Sequence, residues 1–157
     1  MERGPEKRGR HHIEHFRPRA SYPDLELAYG NLFLSCGPEG LSRGAQPTCG
    51  NKKGNWLDEA CHVEPAPEKD CQRRFAFASS GRIKGDGSPE ADRMIEALNL
   101  NHKELVTDRS ALIEDLDGEL KDGVSPHELI KAFENVSQTG ARASFANVAL
   151  QYLGAAA

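Results

Sequence analysis

The hydrophobic period of this chain changes once, at Ser88, and that change restricts the fold more than any other feature. From there on, apolar residues recur at helical spacing. The stretch "SPEADRMIEALNLN" opens with Ser88 as an N-cap and Pro89 at the first helical position. It places Ala91, Met94, Ile95 and Leu98 on one stripe. "ELVTDRSALIEDLDGEL" continues that stripe through Leu105, Leu112, Leu116 and Leu120. Ser125 and Glu128 then form a capping-box pattern ahead of Leu129, Ile130, Phe133 and Val136. A last helix groups Phe145, Val148, Ala149 and Tyr152, and the terminal "GAAA" is expected to fray. Before Ser88 the pattern is different. The first 60 residues are rich in Gly, Pro, Arg and His, with strand-like pieces such as "HHIEHF" and "NLFLSC" between turn signals. Further on, the alternation in "RRFAFASSGRI" puts Phe75 and Phe77 on one face of a strand that turns at Gly81. Strands first and helices afterwards predict an α+β chain.

A length of 157 residues suggests one compact domain, or a small one with an appendage. A hydrophobic content of 38% beside 28% charged residues allows a core of modest size. No apolar run has the length of a membrane span, and charged residues rather than a signal segment follow Met1, so the expected setting is the cytoplasm, with no membrane partner. In that reducing compartment Cys36, Cys49, Cys61 and Cys71 read as metal ligands or buried thiols rather than disulfides. Charge divides unevenly. Residues 1–54 carry nine Lys/Arg against six Asp/Glu, while residues 55–157 carry eleven against eighteen. A basic front is compatible with a phosphate partner; the acidic remainder argues against a uniform coating of nucleic acid.

The stretch "HHIEHFRPR", His11 to Arg19, holds half of the six histidines in nine residues. Packing does not ask for them. Two further stretches follow in order: "YGNLFLSC" at Tyr29–Cys36 and "TCGNKKGNW" at Thr48–Trp56. A carboxylate–His pair, then Asn-Leu leading to Cys, then Cys followed by Asn and Lys-Gly resembles the HNH endonucleases. The wording resembles a narrower group, the nuclease subunit of Septu-type and retron-associated antiphage systems (PtuB-like). The similarity continues through "FAFASSGRI" and "ALNLNHKELVTDRSALI", and so spans most of the chain.

The resemblance implies an N-terminal ββα-metal nuclease module over 1–60, a connector with a short strand over 61–87, and a helical region over 88–157 that could dock a partner. It implies that His15 is the base that activates water, and that Asn31 holds the loop carrying it. Glu14 and Asn51 would be ligands of a catalytic Mg²⁺ or Mn²⁺, since hard oxygen donors with open positions suit those ions. Arg17, Arg19, Lys52 and Lys53 would hold DNA phosphates. An ATPase subunit of the ABC/AAA type (PtuA-like) is the implied partner. Pro18 forbids continuation of the first strand and biases Arg17 toward extended backbone.

Two departures stand out. In the family the ligand directly follows the Cys, whereas here Gly50 does and Asn51 comes one later, a rotation of about 100° on a helix. Cys36 and Cys49 match the downstream half of a structural Zn²⁺ site, split by twelve residues, but no cysteine precedes Cys36. Cys61, Cys71, His11, His12 and His62 could complete it, none at convincing spacing. Zinc is therefore expected to be absent or weakly held, or Met1 is an internal start.

The plainer readings differ by residue. Glu14 and His15 alone would be a surface ion pair, and Asn31 alone a turn residue; order promotes them. His11 and His12 read first as a solvated pair, with an auxiliary metal or phosphate contact as the minor alternative; His102 and His127 read as solvated helix-start residues, Cys61 and Cys71 as buried or spare thiols. Trp56 is expected to pack on the nuclease module. Two rival functions remain: a non-catalytic module binding nucleic acid or a partner, and a nuclease acting on RNA, since phosphate contacts carry no information about the sugar.

Overall fold

The computed structural model describes residues 11–36, 46–58, 71–135, 143 and 145–156. Val136 and residues 61–70 of the expected connector, Cys61 and His62 among them, lie outside these residues. The described chain is α+β, with two small antiparallel sheets and helices that follow them.

Strand β1 (His11–His15) pairs antiparallel with β2 (Leu32–Cys36), setting His12 opposite Ser35, Ile13 opposite Leu34 and Glu14 opposite Phe33. Side chains alternate across a strand, so His12, Glu14, Phe33 and Ser35 share one face. The other face presents Ile13 and Leu34 to solvent. The first strand ends at His15, and beyond it the Pro18 carbonyl accepts the Ser21 and Tyr22 amides at 3.0 and 2.9 Å, closing a turn. A short helix, α1 (Cys49–Lys53), packs on β2.

The second hairpin joins β3 (Phe75–Phe77) to β4 (Ile83–Gly85), and Gly81 lies in its turn at φ +77°. Arg109, buried on the helix below, donates from Nε to the Gly81 carbonyl at 2.6 Å and from Nη2 to the Leu100 carbonyl at 2.7 Å. Burial holds this guanidinium below its ordinary pKa, and carbonyl oxygens serve as its hydrogen-bond acceptors.

Helix α2 (Pro89–Ala97) starts where Ser88 Oγ accepts the Ala91 amide, and α4 (Pro126–Glu134) starts on a complete Ser125–Glu128 capping box. Between them runs α3 (Lys103–Lys121), and α5 (Ala146–Ala156) closes the chain. The terminal alanines expected to fray are helical through Ala156, in a helix whose Val148, Ala149 and Leu153 are buried. The main core lies among α3, α4 and α5, built from Leu116, Phe133, Ala146, Ala149 and Leu153. His102, expected to be solvated, is half-buried with Nδ1 shut from solvent; His127 is exposed. Among the described residues no helix is long and apolar enough to cross a membrane.

The composition boundary at Ser88 is not a gap in packing. Helix α2 ends at Asn99, φ +51°, where the Asn99 amide reaches the Glu96 carbonyl and the Leu100 amide the Ile95 carbonyl. Those two bonds make a Schellman end, with Asn in the left-handed position usually taken by Gly. The Leu98 carbonyl then accepts the Cys49 amide at 2.8 Å, and Asn99 Nδ2 donates to the Pro47 carbonyl at 3.1 Å. The end of α2 thus fixes the start of α1.

Candidate active site

Where β1 ends, an open cleft of about 850 Å³ is lined by residues that include His12, Glu14, His15, Arg19, Glu26 and Asn51. His15 Nε2 lies 2.9 Å from the Glu26 carbonyl oxygen. A carbonyl can only accept, so this nitrogen carries the proton and donates it. Nδ1 is then the ring position with the lone pair, the form a general base requires.

Asn31, almost fully buried, secures the backbone just beyond His15. Its Oδ1 accepts the Arg17 amide at 2.7 Å, and its Nδ2 donates to the Arg17 and Leu25 carbonyls, both at 3.1 Å. The Asn31 carbonyl in turn accepts the Phe16 amide at 2.9 Å. These three side-chain bonds all go to backbone, so Asn31 shapes the loop and holds the turn after β1 against the start of β2.

Glu14 is held from below. Lys53 Nζ donates to Glu14 Oε1 at 3.0 Å and to the His15 carbonyl at 2.7 Å, with only 6% of its side chain exposed. This corrects the expectation that Lys53 holds phosphate: helix α1 turns its ammonium inward to neutralise Glu14. Lys52, its neighbour, is exposed. Arg19 Nη1 sits 3.3 Å from Glu26 Oε1 with both side chains more than half exposed, a surface pair worth about 0–1 kcal/mol that a phosphate could displace. Arg17 is placed elsewhere, its guanidinium 5.2 Å from the centre of the Tyr22 ring. Of the four basic residues proposed from sequence, Arg19 alone is among the described residues lining the cleft.

Cys36 and Cys49 are joined by a disulfide, with Cα atoms 6.0 Å apart. The expectation of thiols or a zinc-binding pair is corrected on this point, because a disulfide has no thiolate to offer a metal. The bond ties the end of β2 to the start of α1. Cys71 is a half-buried free thiol, and burial raises its pKa.

Gly50 explains why no side chain follows Cys49. A Cβ there would lie 2.6 Å from Glu14 Oε2 and 2.8 Å from both His12 Nε2 and Ser35 Oγ, while the Gly50 amide donates to Ser35 Oγ at 2.8 Å. Sequence reasoning favoured a solvated His12 and kept a metal or phosphate contact only as the minor alternative. Its side chain is 10% exposed and Nε2 stands 3.6 Å from Glu14 Oε2. The alternation of a strand was a signal that could have found it, since residues two apart share a face. The Glu26 carbonyl had no such signal, being backbone brought in by a turn.

The divalent cation that the sequence resemblance implies meets a compatible donor here in Glu14: one carboxylate oxygen is occupied by Lys53, and the other is turned to His12. Among the described residues no three His, Cys, Asp or Glu side chains converge. Water and phosphate oxygens would have to supply much of the coordination. No protein-family model matches the chain, and no curated protein matches it.

Proposed function

We propose that this chain is a metal-dependent endonuclease of the HNH type that hydrolyses DNA phosphodiester bonds. In this reading it is the effector of a bacterial antiphage system, controlled by an ABC/AAA-type ATPase subunit. The observation that carries it is the hydrogen bond that His15 Nε2 donates to the Glu26 carbonyl, which leaves the lone pair on Nδ1, in the same cleft as Glu14 and Arg19. His15 Nδ1 takes a proton from the attacking water as the new P–O bond forms. Arg19 leaves its surface pair with Glu26 to hold a non-bridging phosphate oxygen. Asn31 and Lys53, through the Arg17 and His15 backbone, keep the end of β1 from drifting. A cation on Glu14 would supply positive charge for the departing 3′ oxygen. The 3′ oxygen leaves as the P–O bond breaks and takes a proton from solvent.

A second reading has one observation in its favour. Glu14 is already neutralised by Lys53, as it would be in a module that binds nucleic acid or a partner and cleaves nothing.

Supercoiled plasmid with Mg²⁺ or Mn²⁺ separates the two. The full chain, with its ATPase partner supplied, is expected to nick it. His15→Ala should lower the rate by about 10²–10⁴-fold, the usual worth of a general base, and EDTA should abolish it. Absence of nicking by folded protein under these conditions would leave the binding module standing. Matched DNA and RNA substrates in the same assay decide the sugar.

A further inference from the structure

We infer that His12 is the second protein ligand of the cation, in place of Asn51, and that the site takes a first-row transition ion such as Mn²⁺. The inference deepens the nuclease reading and rests on it for the ion's role, though not for its binding. It comes from Gly50. The α1 position that faces Glu14 Oε2 is the one with no side chain, and the nitrogen nearest that point is His12 Nε2, at 2.8 Å from where a Cβ would be. Asn51, one residue on, is rotated by about 100° around the helix. His12 Nε2 and Glu14 Oε2 stand 3.6 Å apart, too long for a direct hydrogen bond. Two donors at that separation would be able to share one ion between them.

The surroundings support the pairing. Lys53 occupies Glu14 Oε1 and so fixes which oxygen is presented to His12. Cross-strand pairing sets Ser35 opposite His12, and the Gly50 amide donates to Ser35 Oγ at 2.8 Å, which fixes the floor of the site. An imidazole beside a carboxylate favours transition ions over Mg²⁺, which prefers oxygen throughout. His15 is left to its role as base, since it projects from the opposite side of the strand end.

The test is Mn²⁺ binding by the full chain, read from loss of the free-ion electron paramagnetic resonance signal, with no cleavage involved. The wild-type chain is expected to bind one equivalent. His12→Ala and His12→Gln should each weaken binding by about tenfold or more, while Asn51→Ala stays within roughly twofold. Circular dichroism melts confirm that each variant is folded. Wild-type affinity in both folded His12 variants, or loss on Asn51→Ala instead, would overturn the inference. So would a folded wild-type chain that takes up no Mn²⁺. The nuclease reading fails separately: Mn²⁺ bound through His12 with no plasmid nicked sinks the nuclease and keeps the metal site. Nicking with unchanged Mn²⁺ binding in the His12 variants does the reverse.

Discussion

Lys52 and Lys53 are indistinguishable as letters, yet one faces water and the other is nearly closed off from it. Five residues of helix are enough to separate them, because consecutive positions point about 100° apart. Lys53 Nζ serves Glu14 Oε1 and the His15 carbonyl, so its removal leaves a partly buried carboxylate without its cation. Lys53→Met is expected to cost about 2–3 kcal/mol, and roughly 2–4 °C of Tm for each of these in a chain of this size. Lys52→Met should leave the melt where it was. If instead Lys53→Met melts like the wild type and only weakens DNA binding, the lysine is a phosphate ligand after all. The sequence could show that a lysine stands near Gly54, but not which of the two turns inward. That depends on where β1 runs past α1, a contact between residues 39 apart. His12 was misjudged for a related reason: the strand was legible, but the partner that shields one of its faces was not.

At the level of elements, what is local was legible and what is paired across the chain was not. The Ser88 and Ser125 caps, the turn at Gly81 and the antiparallel strands follow from short-range chemistry that letters carry. The end of α2 at Asn99 carried no glycine stop in the letters, because Asn takes the left-handed position that Gly would have marked. The docking of the β3–β4 turn on α3 was not legible at all. There a Cβ on Gly81 would meet the Val106 carbonyl oxygen at 2.2 Å and the Ser110 nitrogen at 2.8 Å. Gly87 also has a positive φ, +68°, but no atom lies within 4 Å of its would-be Cβ. The pair separates backbone strain from contact. Gly87→Ala should cost about 1–2 kcal/mol for conformation alone. Gly81→Ala should cost about 2–4 kcal/mol, the same strain with overpacking added. Equal losses in the two variants, measured by urea unfolding, would mean that the turn does not need its close seat on α3.

On the scale of the whole molecule, composition suggests three pieces, but the hydrogen bonds join the site to the helices. Helix α1 carries Gly50, Asn51 and Lys53, and its first amide is capped by the Leu98 carbonyl of α2. Met94 and Leu98 line one small cavity together with Glu14 and Phe33 of the first hairpin and Cys49 and Lys53 of α1. Arg93 adds an ion pair to Asp58 at 3.4 Å, though an exposed one of little energy. A two-stranded hairpin with one short helix is marginal by itself in water. The disulfide between Cys36 and Cys49 shortens its loop without giving it a core. Residues 1–87 alone are therefore expected to show no cooperative melt and no nicking, whereas the full chain melts with the α3–α5 core. Backbone amide NMR of 1–87 is the decisive measurement. Dispersed resonances for Glu14, His15 and Lys53 would mean that the first hairpin and α1 fold independently, and that the Leu98–Cys49 contact is incidental. Collapsed resonances, regained in the full chain, would mean that the geometry around His15 is set from the far side of Ser88.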